Sequence, residues 1–202
     1  MSSRTILRNQ CRTLREQLSG AERRQASLQI CRRIRTSAYY WAASHLAVFW
    51  PMDSTEVDLR ELLGSALRHG KRCYLPVMRS ARKMVFVRYR ATTELYLNDY
   101  GIPEPRYLGR DMLAPALLDL VCVPLLGFDR SGTRLGAGGG YYDRAFSFKL
   151  DESAAKPRLL GVAFANQELG GIARAPWDVP LGAIATEREL IECAASRDSA
   201  QE

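Results

Sequence analysis

The sequence predicts an α/β fold: a single three-layer domain whose mostly parallel sheet is covered by helices on both faces, with an N-terminal helical pair. Three observations predict it. Short continuous apolar runs, such as Leu46-Ala47-Val48-Phe49-Trp50 and the stretch from Leu118 to Leu126, are the pattern of strands buried on both faces. Helix-length segments and turn signals separate these runs. At 202 residues, 47% apolar and 25% charged, the chain has the size and balance of one domain with a sizeable core. Residues 1–202 therefore read as one domain without repeat or linker, ending in a polar tail expected to fray over 197–202.

Residues 4–18 read as a helix with an apolar stripe of Ile6, Leu7, Cys11, Leu14 and Leu18. Its polar side carries Arg4, Arg8, Arg12 and Arg15, the usual composition of a solvated face. Ser19 followed by Glu22 is a capping box that opens a second helix over 20–36, with Leu28, Cys31 and Ile34 turned inward. The strand from Leu46 to Trp50 ends at Pro51, and Val57 to His69 is a helix closed by Gly70. Strands follow at Arg72–Pro76 and Met84–Tyr89, where alternation puts Met84 and Phe86 in the core. A polar, proline-containing stretch runs from Thr92 to Pro115. The strand of Leu118 to Leu126 leads into a glycine-rich loop, then a helix over 141–150. Short strands at Leu159–Ala165 and Ala183–Thr186 complete the series.

Charge and cysteine usage narrow the function. The net charge of +7, from 29 Lys and Arg against 22 Asp and Glu, favours anionic ligands without choosing among them. Five scattered cysteines with no C-x-x-C pair, beside only two histidines, argue against a disulfide framework or a structural zinc site. Buried, reduced thiols in a cytoplasmic protein are expected, and His45 and His69 read as structural. The opening Met1-Ser2-Ser3-Arg4 leads into charged residues rather than a signal core, and no apolar run approaches the ~20 residues a membrane span needs.

Five glycines fall within nine residues, from Gly132 to Gly140, between a strand and a helix. Glycine lets backbone N–H groups converge on one centre, and that place in an α/β sheet is where phosphates bind. Arg134 adds a positive charge, and Asp143 stands where it could hold a divalent cation beside the phosphates. The loop has no lysine for a Walker A motif, and its glycine spacing does not match the dinucleotide fingerprint.

The motif Gly127-Phe128-Asp129-x-x-Gly132-x-Arg134-Leu135-Gly136-x-Gly138-x-Gly140-Tyr141-Tyr142-Asp143 resembles the signature of the 5-formyltetrahydrofolate cyclo-ligase family. Arg4-Thr5-Ile6-Leu7-Arg8, Trp50 to Glu56, Gly101-Ile102-Pro103-Glu104-Pro105 and Trp177-Asp178-Val179-Pro180 extend the resemblance, in order, over most of the chain. It implies ATP-dependent conversion of 5-formyltetrahydrofolate to 5,10-methenyltetrahydrofolate with Mg²⁺. A monomer that binds small molecules, and neither nucleic acid nor membrane, is expected.

Carried over position by position, the resemblance implies that Arg4, Arg8, Arg134, Leu135, Gly136, Ala137, Gly138, Gly139, Gly140, Tyr141 and Tyr142 bind ATP. Trp50, Glu56, Ala137, Gly138, Gly139, Gly140 and Tyr141 are implied to meet the folate. Asp143 and Asp178 are implied to serve the metal, and Arg134 and Tyr142 the chemical step. Two positions depart from the family pattern: Arg4 replaces the usual lysine, and Gly182 stands where a second C-terminal aspartate is common. Arginine keeps the charge and adds a bidentate grip on phosphate. Two other readings stay open at this level: a sugar-phosphate isomerase working without ATP, and an RNA-binding module using the N-terminal arginines.

Overall fold

The computed structural model describes residues 3–79, 82–99, 101–151 and 156–193. The tail over 197–202 lies outside them. Helix α1 spans Ser3–Glu16 and α2 spans Gly20–Thr36. The capping box forms as expected: the Ser19 hydroxyl accepts the Glu22 N–H at 3.2 Å, and the Glu22 carboxylate accepts the Ser19 N–H at 2.7 Å. Ser37 ends α2 and caps a short α3, Ala38–Ala42, whose five residues are too few to show a helical period. Ile6 and Leu28, assigned inward from the sequence, are more than half exposed. Conversely, Arg15 is buried, so the basic side of α1 is not a uniformly solvated face.

Strand β1 is His45–Ala47, shorter than the apolar run suggested. Val48 still donates to the Tyr74 carbonyl at 3.1 Å, but Phe49 and Trp50 leave the ladder. Helix α4, Arg60–Arg68, starts three residues late because the Asp58 carboxylate takes the Arg60 N–H at 2.9 Å and holds an Asx turn. Strand β2, Arg72–Met78, runs through Pro76, which lies beyond the last residue paired with β1. It pairs antiparallel with β3, Met84–Tyr89.

The polar stretch after Thr92 is more structured than its composition suggests. Strands β4, Leu95–Leu97, and β5, Pro103–Pro105, form a small hairpin, and β6, Met112–Leu113, adds an edge to β3. Three-residue strands are too short for alternation to register. Strand β7 is Leu120–Pro124; β8, Gly127–Phe128, and β9, Arg134–Leu135, make a second hairpin. The expected helix over 141–150 is a five-residue α5, Tyr141–Ala145, and then a 3₁₀ turn over Ser147–Leu150. Strands β10, Arg158–Val162, and β11, Ala183–Ala185, match expectation within a few residues, while β12, Leu190–Glu192, was not foreseen.

One eight-stranded sheet results, in the order β12-β11-β10-β7-β1-β2-β3-β6. Its five central strands run parallel, with antiparallel strands at both edges. Alternation divides each strand between two cores. Leu46, Cys73, Leu75, Leu120, Cys122 and Leu160 meet Ile30, Ile34, Leu62 and Ala66 of α2 and α4. Ala47, Tyr74, Val121, Val123 and Leu159 meet Phe146, Val179, Leu181 and the tyrosines of α5. Helix α1 sits apart, with Cys11 fully buried against Leu126, Leu135 and Ile172.

Candidate active site

A cavity of about 640 Å³ opens at the carboxyl ends of the parallel strands, where Trp50 follows β1, Met78 ends β2 and Leu125 follows β7. All fifteen residues singled out from the sequence line it. They arrive from four separate parts of the chain: α1, the segment after β1, the glycine loop with α5, and the turn before β11.

The glycine loop forms one wall of the cavity, the candidate anion wall. Gly138 has φ +108, a conformation a side chain resists, and a Cβ there would approach the Arg8 guanidinium at 3.8 Å. Arg8 Nε donates to the Gly136 carbonyl at 2.9 Å, and Arg144 donates to the Gly139 carbonyl. Among the described residues, no protein acceptor takes the N–H groups of residues 136–140. Five adjacent backbone donors thus remain free beside two arginines, which suits a phosphate chain. Helix α5 is too short for its dipole to add much, so the loop itself supplies the attraction.

Two ion pairs cross this wall. The Arg134 guanidinium, 7% exposed, donates to the Val179 carbonyl and, at 2.6 Å, to Asp143, which also accepts the Val179 N–H at 3.1 Å. Arg4 pairs with Asp178 and donates to the Ala173 carbonyl at 3.0 Å. Burial disfavours the Asp178 carboxylate, but Arg4, the Ala175 N–H and Arg134 outweigh it and hold its pKa below the ordinary value. Its share of stability is therefore present above the usual carboxylate range and lost as pH falls through that depressed pKa. Gly182 does not reach the cavity; it lies against Arg158, so the missing second aspartate leaves this wall intact.

Much of the remaining lining is apolar with a few polar anchors. Trp50, Met52, Leu75, Met78, Met84 and Ile102 line it, and Met84 serves core and cavity together. Phe86 stays in the core, 5.6 Å from the Phe146 ring. Glu56 points its carboxylate here from a largely buried position, accepting the Met52 N–H at 2.8 Å. Burial pushes its pKa up. Burial likewise pushes up the Tyr142 hydroxyl, with Glu56 adding to the effect, so Tyr142 faces the cavity as a neutral donor.

Glu104, Arg82, Arg144 and Trp177, to which the sequence assigned no site role of their own, also line the cavity. Glu104 is 4% exposed and accepts from the Met78 N–H, the Asn98 amide and the Tyr96 hydroxyl. A proline on each side of it marked a turn, but nothing in the local pattern showed that it would be buried at a ligand site. Burial pushes the Cys31 thiol up to about 12 and Cys73 and Cys193 to about 11, so these sulfurs stay protonated and unreactive near neutral pH. All five cysteines are free.

The cavity can hold a flat, donor-rich ring system against Trp50 and Glu56 while a phosphate chain lies along the glycine wall. No cluster of three or more His, Cys, Asp or Glu suited to a metal exists among the described residues. Asp143 and Asp178 instead offer two carboxylates beside the anion wall. That suits a hard cation held mainly by phosphate oxygens and water, the habit of Mg²⁺.

Comparison with known proteins gives a consistent picture. The profile of the 5-formyltetrahydrofolate cyclo-ligase family matches residues 1–187. The chain is 34% identical over 183 residues to a 5-formyltetrahydrofolate cyclo-ligase of Escherichia coli (strain K12), covering 90% of this chain and 98% of that one. The solved 5,10-methenyltetrahydrofolate synthetase of Aquifex aeolicus superposes with a TM-score of 0.82 at 27% identity, over 98% of this chain and 96% of that one. A synthetase of the same name from Mycoplasma pneumoniae, at 23% identity and a TM-score of 0.71, covers 92% of this chain and 99% of its own and shares the fold.

Proposed function

Because this chain belongs to the 5-formyltetrahydrofolate cyclo-ligase family, we propose that it converts 5-formyltetrahydrofolate and ATP to 5,10-methenyltetrahydrofolate, ADP and phosphate. One observation carries the reading: free backbone donors beside arginines and an apolar lining with a buried carboxylate border one cavity.

The formyl oxygen of an amide-like group leaves poorly, so its activation is the chemical task. That oxygen attacks the γ-phosphorus and the bond to ADP breaks. The folate N10 then adds to the activated carbon and loses its proton, and the C–O bond breaks to release phosphate. No enzyme nucleophile is needed, in keeping with the buried, protonated thiols. Arg4, Arg8, Arg134 and the N–H groups of the loop hold and neutralise the phosphates. Trp50 and Tyr141 pack on the folate rings, and Glu56 accepts hydrogen bonds from the pterin's donor edge. Tyr142 donates toward the reacting oxygen. Asp143 and Asp178 are the residues that would hold Mg²⁺, which would supply neutralisation of phosphate charge.

The side chains invoked border one cavity at one sheet, which supports a single domain. The described helices include none long and apolar enough to cross a membrane. Arg4, Arg8 and Arg15 turn into the protein rather than forming an exposed basic strip, which weighs against the RNA-binding alternative. Purified protein given ATP, Mg²⁺ and 5-formyltetrahydrofolate is expected to produce the near-ultraviolet absorbance of the methenyl product. Folded protein that gives none under these conditions sinks the reading, and turnover without ATP favours the isomerase alternative.

The ion pairs make a second prediction. Asp178 holds Arg4 in the ligand-free protein, so in the presence of a chelator Asp178→Asn should raise ATP affinity about fivefold, the worth of roughly 1 kcal/mol. With Mg²⁺ present the same variant should bind ATP more weakly than the parent. Calorimetric titration under both conditions reads the crossover; weaker binding in chelator would remove Asp178 from this role.

A further inference from the structure

Helix α1 carries Arg4, Arg8, Cys11 and Arg15 at steps of four, three and four, which places them on one face. The first two arginines reach the cavity, and Cys11 buries the helix against the β8–β9 hairpin. Arg15 does something different. It is 6% exposed, and both of its charge partners belong to one short turn: Nη1 lies 3.4 Å from Glu56 Oε1 and Nη2 lies 3.7 Å from Asp53 Oδ2. Its Nε is buried without a partner. Behind Glu56 a void of only about 10 Å³, bordered by Arg15 and Gln167, is too small for bulk water to reach the carboxylate from that side.

We propose that Arg15 is a positioning residue for the reaction: it holds Glu56 anionic and aimed into the cavity, so that Glu56 can accept hydrogen bonds from the donor edge of the folate. The inference rests on the reading of Glu56 as the folate-binding carboxylate. A buried carboxylate favours its neutral form unless charge and hydrogen bonds oppose that preference. The ionisable groups set against Glu56 are Arg15 from α1, Asp53 from its own turn and the Tyr142 hydroxyl from α5. Of these only Arg15 is cationic; Asp53 pushes the Glu56 pKa upward. With Arg15 gone, the pKa rises further, and a protonated carboxyl accepts the pterin donors poorly. Affinity lost near neutral pH should therefore return as pH is raised.

The test is binding of 5-formyltetrahydrofolate, without ATP, to the parent, Arg15→Gln, Arg15→Lys, Glu56→Gln and the double variants, across mildly acidic to mildly alkaline pH. Arg15→Gln is expected to weaken folate binding roughly tenfold near neutral pH. Its acid-side midpoint should move upward, while ATP affinity stays at the parental value. Arg15→Lys keeps the charge without the fork, so it should return the midpoint toward the parental value while recovering only part of the affinity. In the Glu56→Gln background, either Arg15 substitution should cost little more. Equal losses in both backgrounds, or loss of ATP affinity in parallel, would show Arg15 merely stapling α1 in place and overturn the proposal. Should Arg15→Gln fail to fold, the cycle runs with Arg15→Lys: a loss in the parent that vanishes beside Glu56→Gln supports the coupling, and an equal loss defeats it. Unchanged folate affinity in Glu56→Gln itself would instead defeat the reading of Glu56, a result separate from failure at Arg15.

Discussion

Arg134→Ala should lower kcat/KM by about a thousandfold, with the affinity for folate in the absence of ATP nearly unchanged. Arg134 is among the most buried cations of the protein, and its guanidinium ties the start of α5, through Asp143, to the Val179 carbonyl. Removing it has two effects. The anion wall loses a full charge at the place where phosphoryl charge develops, and Asp143 is left partly buried without its cation. Arg134→Lys keeps the charge but cannot reach both partners with one flat fork, so it should recover only part of the loss. Steady-state kinetics beside separate ATP and folate titrations read the split. Near-parental turnover in Arg134→Ala would remove this residue from the chemistry; equal loss of both affinities would mean that the whole cavity had collapsed.

Gly132→Ala should lower the melting temperature by roughly 8 °C, the equivalent of about 3 kcal/mol. Gly132 has φ +89, and a Cβ there would stand 2.6 Å from the Leu181 carbonyl oxygen and 3.0 Å from Cys193 Cβ. The first obstacle is backbone, so no rotamer change relieves it. The same two segments are joined by a hydrogen bond from the Leu181 N–H to the Gly132 carbonyl at 2.9 Å. Pushing them apart moves the chain just after Asp178 and Val179, so turnover should fall along with stability. Thermal melting beside kinetics checks both, and an unaltered melting point would refute the packing described for this turn.

The parts of the fold carried by long patterns were legible in the sequence. The capping box at Ser19 and Glu22, the strand through Val121 and the hairpin arm from Met84 to Tyr89 all form where their residue patterns point. Short elements were not legible: α3, the β4–β5 hairpin and β12 have three to five residues each, too few to display a period. The site divides along a similar line. The glycine loop was legible because its residue types are dictated by backbone geometry. Glu104 and Arg15 were not, because a charged residue in a hairpin or on a helix ordinarily faces water, and only tertiary packing buries these two. The roles of Arg4, Glu56 and Asp178 came from family resemblance alone; the geometry adds that all three border one cavity.

The bonds that seat α1 join the beginning of the chain to its end. Arg8 meets a carbonyl 128 positions later, and Arg4 meets an aspartate 174 positions later. A polypeptide still leaving the ribosome can thus pair β1, β2, β3 and β7 while its first helix, held by Arg15 at the turn of Asp53 and Glu56, lacks these two later contacts. The contact between Arg4 and Asp178 can form only after residue 178 has emerged. A product that stopped before Asp178 would hold much of the sheet while Arg4 lacked its carboxylate partner.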